Sequence, residues 1–112
     1  MINNIAILEG NLGKDPEIKQ LEGGKFLCNF SLAVYRNKEK TDWIDCVAFN
    51  NVAEVLRQAD KGRKVTVWGS FQQRTWEKDG KKNSKVEVLA DRLYVHKKRE
   101  PMPSDGAEST PF

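Results

Sequence analysis

Two runs of strict alternation, followed by one short stretch of helical spacing and then by more strand-like sequence, constrain this chain more than any other feature. From Lys25 to Tyr35, Phe26, Cys28, Phe30, Leu32 and Val34 fall on one face, and Asn29, Ser31, Ala33 and Tyr35 on the other. A period of two marks a strand with one buried face. Thr41 to Phe49 repeats it, with Ile44, Cys46 and Ala48 as an inner row and Trp43, Asp45, Val47 and Phe49 as the outer one. The period then changes. Val52, Val55, Leu56 and Ala59 recur at helical spacing, Asn51 and Glu54 are placed as a capping box, and Gly62 is placed as the stop.

Strands are also expected over residues 4–10, closed by the turn chemistry of NLGKDP, and over 64–76 and 85–95. The last two are joined by a loop with Asp79-Gly80 at its tip. A short piece at 17–21 leads into the turn Glu22-Gly23-Gly24. Five strands with a helix between the third and fourth is the ordering of the OB-fold, a small closed barrel. The expected class is therefore all-β with one short helix, a five-stranded OB-fold barrel. Closure hides strand edges, and an in-strand glycine such as Gly69 suits a barrel that must bend sharply.

A chain of 112 residues has room for one domain with a modest core. We expect that domain over residues 1–99, with 100–112 as a short disordered acidic tail. No stretch approaches the roughly 18 apolar residues of a membrane span, and MINNIAILEG lacks the features of a signal peptide. Cys28 and Cys46 lie inside strands with no second pair and no His at ligand spacing, so they read as buried free thiols in a reducing cytosol. His96 reads as a surface residue. The sequence shows no nucleophile–base pair, no metal cluster and no phosphate-cradling glycine loop, so neither an enzyme, a metal nor a cofactor is expected.

Charge is unevenly placed. Residues 1–99 carry all 19 basic side chains and 13 of the 16 acids, whereas the last 13 residues hold Glu100, Asp105 and Glu108 and no base. A basic body with an acidic end suggests an anionic ligand for the body. The aromatics give that ligand a character. Trp43 and Phe49, six apart on one strand, share a face that the inner row does not need, and Trp76 closes VTVWGSFQQRTW beside Arg74. Outward rings interleaved with cations are suited to unpaired bases, because rings stack on base faces while Lys and Arg follow the phosphates.

EGNLGKDPEI, TDWIDCVAF, KGRKVTVWGSFQQRTW and KVEVLADRL run in order from about Asn3 to Val95, and together they resemble bacterial single-stranded DNA-binding proteins. The specific part is the conjunction of Asp-Pro, Trp43 with Phe49, the Gly-x-x-x-x-Arg-x-Trp spacing and Ala-Asp. The resemblance implies an OB-fold that coats exposed single strands in DNA replication, recombination and repair, usually as a homotetramer. It also implies that Trp43, Phe49 and Trp76 stack bases. Arg74 and the hairpin lysines Lys78, Lys81, Lys82 and Lys85 would contact phosphates, with Arg36 and Lys38 as weaker candidates. Pro111-Phe112 would dock on replication or repair proteins.

Three departures from the family pattern stand out. Trp68, in an outward row with Thr66 and Ser70, occupies a position usually polar, and is either a further stacking platform or a subunit contact. Ile44 stands where several relatives carry a polar residue tied to tetramer stability. The linker before the terminal Pro-Phe has nearly vanished, and its acidic run is reduced to Asp105 and Glu108. Two alternatives are an RNA-binding OB module, marked by a preference for the 2′-OH, and a protein-interaction accessory of the replication-restart kind, marked by loss of the stacking aromatics. No membrane partner is expected, and the expected location is cytoplasmic.

Overall fold

The computed structural model describes residues 3–98. The acidic tail, including Pro111 and Phe112, lies outside the described residues. Six strands run in chain order: β1 (Ala6–Leu12), β2 (Glu17–Gln20), β3 (Phe26–Tyr35), β4 (Thr41–Phe49), β5 (Lys64–Lys78) and β6 (Lys81–Val95). The helix α1 (Asn50–Glu54) follows β4 and continues as a 3-10 turn over Val55–Gln58. The sheet order is β1-β5-β6-β4-β3-β2, and a further β1–β3 pairing closes β1, β5, β6, β4 and β3 into a ring. The helix falls between the third and fourth ring strands, which is the expected OB-fold order. The piece at 17–21 is a sixth strand that extends β3 outside the ring.

Alternation decides what enters the ring. Cys28, Phe30 and Leu32 of β3, Cys46 and Ala48 of β4, and Val65 and Val67 of β5 are all buried. Ala53 and Leu56 pack against this core from the helix, with Val52, Val55 and Ala59 partly buried beside them. The capping box does not form: Phe49 is the N-cap, with no side-chain cap bond. Glu54 instead turns to Arg57 at 2.6 Å and 3.1 Å. The helix ends at Gln58, short of Gly62. Gly62 takes φ +86° in the turn after it, where the Arg63 N–H donates to the Asp60 carbonyl at 3.0 Å. A helix this short closes one end of the ring and has little length over which a cap could matter.

Two features shape the long hairpin. A side chain at Gly69 would run into the backbone carbonyl of Leu89, so only glycine lets β5 cross β6 this closely. Immediately beside it the register shifts, with Trp68 opposite Arg92 but Gly69 opposite Ala90. Asp91 is thereby left without an opposite residue, and the facing of β6 reverses across this bulge. Leu93 is buried on one side of it, and Val88 and Ala90 on the other. Beyond the bulge the charged segment expected as a loop is β ladder to its tip, with Lys78 opposite Lys81. Asp79 (φ +53°) and Gly80 (φ +76°) make the two-residue turn.

Both cysteines are free and buried. Burial pushes the Cys46 thiol up to about 12. His96 is half-buried rather than a plain surface residue: its Nε2 lies 2.8 Å from the Thr66 hydroxyl, and its ring meets Tyr94 edge-on. Among the described residues no helix is long and apolar enough to cross a membrane.

Candidate nucleic-acid interface

The outer row of β4 presents Trp43, 63% exposed, and Phe49, 41% exposed, as the alternation requires. The Trp43 ring lies over Gly13, where an added Cβ would sit 2.8 Å from it. That glycine lets the β1–β2 loop support the ring from below. Val47, between the two aromatics, departs from the expected outer row and is buried. At this point β4 is paired on both sides, with Asn29 of β3 and, in parallel register, Leu89 of β6, so its flanks are covered.

The hairpin supplies the other half of the face. Opposite residues in an antiparallel pair share a side, so Gln72 with Glu87, Arg74 with Lys85, and Trp76 with Asn83 line one surface. The Arg74 guanidinium lies 5.1 Å from the centre of the Trp76 ring, and its Nε is 3.5 Å from Glu87. Lys85 reaches across to Asp45 of β4 at 3.0 Å, which brings the Trp43 strand and the Trp76 hairpin to the same side of the ring. Lys78 and Lys81 continue the Trp76 side toward the tip. Lys82, opposite Glu77, belongs to the other side of the ladder, contrary to the grouping expected from sequence.

Arg36 is engaged rather than free. It makes a two-pronged contact with Asp42 at 3.1 Å and 2.7 Å, which raises its already high pKa. Trp68 does not join the other rings. It is half-buried, opposite Ile7 of β1 and Arg92 of β6, with the Arg92 guanidinium 4.9 Å from the ring centre. Trp76 lies eight residues further along β5, a distance of about 26 Å at strand rise. On the same side, beside Thr66, Ser70 and Arg92, Ile5, Ile7 and Tyr94 are 60%, 62% and 53% exposed.

Several residues on the Trp43 side were not singled out from sequence. Tyr35, 69% exposed, lies on the same row of β3 as Ala33, the partner of Trp43, so it extends the aromatic face by one more ring. Its place opposite the core row of β3 was the available signal. Lys14 comes close only through the fold, where it shares a hollow with Arg74, Lys85, Asp45 and Glu87. Glu87 is 5% exposed, and its Oε2 accepts from Gln72 at 2.9 Å.

The chain matches the model of the single-strand binding protein family over residues 3–96. It is 38% identical over 97 residues to a single-stranded DNA-binding protein of Fusobacterium nucleatum, an alignment covering 79% of this chain and 63% of the relative. It is 36% identical over 100 residues to a protein of the same name from Treponema pallidum, covering 82% and 57%. The chain thus spans about three fifths of the length of these relatives. Among solved structures, a Plasmodium falciparum SSB in complex with ssDNA superposes with a TM-score of 0.74 at 29% identity, covering 87% of this chain and 97% of that one.

Proposed function

Because the chain belongs to the single-strand binding protein family, we propose that it binds single-stranded DNA with little regard to sequence, stacking bases on Trp43, Phe49 and Trp76. Arg74, Lys78, Lys81 and Lys85 neutralise phosphates along the same side of the ring. The observation that carries this reading is the joining of the Trp43 strand to the Trp76 hairpin through Lys85 and Asp45, which sets exposed rings and cations on one continuous face. Arg36 contributes by exchanging Asp42 for a phosphate, an exchange that costs little because the pair is exposed. Every base has a π-face, so stacking tolerates any sequence. Duplex DNA binds poorly, since its bases already stack on each other.

We assign Trp68, with Ile5, Ile7 and Tyr94, to contact between copies of the chain. Several exposed apolar side chains on one side of a small domain favour association, and a closed homotetramer would hold one strand on several barrels at high effective concentration. Residues 1–99 are the binding unit, acting in the cytosol or nucleoid during replication, recombination and repair. The acidic 100–112 segment serves partner docking through Pro111-Phe112.

The test is a fluorescence titration with oligo-dT at low and high salt, with duplex DNA and oligo-U as controls. Quenching by oligo-dT that weakens with salt and is lost in Trp43→Ala and Trp76→Ala supports the proposal. Tighter binding of oligo-U moves the reading to RNA, and no quenching by any strand overturns it.

A further inference from the structure

Among the described residues one charged side chain is buried, and it belongs to the strand pair that carries Trp76. Glu87 is 5% exposed. An ionised carboxylate is costly to take out of water unless it is paired and hydrogen-bonded. Its Oε2 accepts from the Gln72 amide, directly opposite on β5, at 2.9 Å. Its Oε1 lies 3.5 Å from Arg74 Nε. Lys14 and Lys85 line the same hollow, but Lys85 is held by Asp45 at 3.0 Å. A carboxylate repels phosphate and subtracts from the positive potential of a strand-binding face. Direct contact with a nucleic acid therefore gives Glu87 no role.

What Glu87 does touch is Arg74. The Arg74 guanidinium lies 5.1 Å from the centre of the Trp76 ring, within reach of a cation–π contact. Trp76 stays 40% exposed, so the ring keeps surface for a base. Arg74 is a long side chain, 53% exposed, and holding it in one place costs rotamer entropy. Its contact with Glu87 is made through Nε, which leaves both terminal Nη groups available. A planar guanidinium can meet a carboxylate on one edge and a phosphate on another. We propose that Glu87 is a positioning residue for strand binding: it fixes Arg74 against Trp76, so that ring and guanidinium receive a base and its adjoining phosphate as one preformed unit. The ordering cost is then met before the strand arrives. The inference rests on the single-strand reading above and adds the residue that organises its hairpin half.

The sign of one substitution separates this role from bulk electrostatics. Glu87→Gln keeps the shape and can still accept from Gln72, but it removes the charge. If the acid only opposed phosphate, oligo-dT would bind the variant more tightly. A positioning role predicts binding about three- to tenfold weaker, titrated at fixed salt by tryptophan fluorescence. In an Arg74→Ala background the same substitution should weaken nothing further, since no guanidinium remains to be held. Arg74→Lys leaves Glu87 in place and decides the matter alone should Glu87→Gln fail to fold. Its single ammonium lacks the fork that serves carboxylate and phosphate together, so it should bind as weakly as Arg74→Ala although it keeps the charge. Tighter or unchanged binding in Glu87→Gln, an equal loss in the Arg74→Ala background, or full affinity in Arg74→Lys would each overturn the positioning role while leaving single-strand binding intact. Failure of the unaltered protein to bind oligo-dT would overturn the single-strand reading itself, and this role with it.

Discussion

The two outward surfaces of this ring set the same kinds of aromatic side chain among different neighbours. On one, Trp43, Phe49 and Trp76 are separated by Asp45, Arg74 and Lys85, so each ring stands alone among polar groups. On the other, Trp68 carries Arg92 over its ring as Trp76 carries Arg74, but Ile5, Ile7 and Tyr94 stand exposed on the same side. Isolated rings can be separated by bases. Exposed apolar side chains are best covered by another apolar surface, because burial is worth roughly 25 cal/mol per Å². The comparison teaches that the side chains around a tryptophan, more than its exposure, separate the two surfaces.

The strongest way to break the comparison is to remove what both surfaces share. Gly69→Val drives a side chain into the Leu89 carbonyl, and we expect a loss of about 3 kcal/mol or more. Thermal unfolding should drop sharply, with strand binding and association failing together. A variant that stays folded would show that the crossing of β5 and β6 can relax.

Single substitutions should separate the surfaces. Trp43→Ala or Trp76→Ala should each weaken oligo-dT binding by about 1–3 kcal/mol, with sedimentation unchanged. Ile7→Glu should do the converse, since a carboxylate beside Trp68 cannot be buried cheaply. We expect a shift toward monomer in analytical ultracentrifugation, while the per-chain affinity for a short oligonucleotide is kept. If Ile7→Glu left sedimentation untouched, the patch would need another explanation.

The smallest effect sharpens the division within the hairpin itself. Lys81 lies on the Trp76 side of the ladder and Lys82 on the reverse. Lys81→Ala should reduce the slope of log affinity against log salt by about 0.7, the contribution of one phosphate on a single strand, and Lys82→Ala should change it less. Equal changes would mean that the strand wraps both sides of the hairpin.

Much of this was legible before the structure, and for a physical reason. The inner rows of β3 and β4 could be read because side chains alternate in a strand and one face must leave water. That also exposed Trp43 and Phe49 as aromatics the core did not require. The helix boundaries were less legible, since Asn51 and Glu54 have capping chemistry but α1 begins at Asn50 and is too short to use it. Val47 was misread because nothing local says that a strand will be paired on both sides at that residue. The loop before Lys85 was misread because charge resembles solvent exposure, and a hairpin ladder can be charged and exposed at once.

By itself, then, the amino-acid sequence determined the elements, their order, the rings turned away from the core and the excess of base over acid. Those properties follow from local periodicity and composition, which neighbouring residues carry between them. Only the tertiary structure decided which outward residues share a surface. The bulge at Asp91 reverses the facing of β6 between Ala90 and Leu93, Gly69 brings β5 against β6, and the Lys85–Asp45 contact joins β4 to the hairpin. Each depends on residues at least 20 positions apart meeting in space, and no local pattern encodes where two strands will cross.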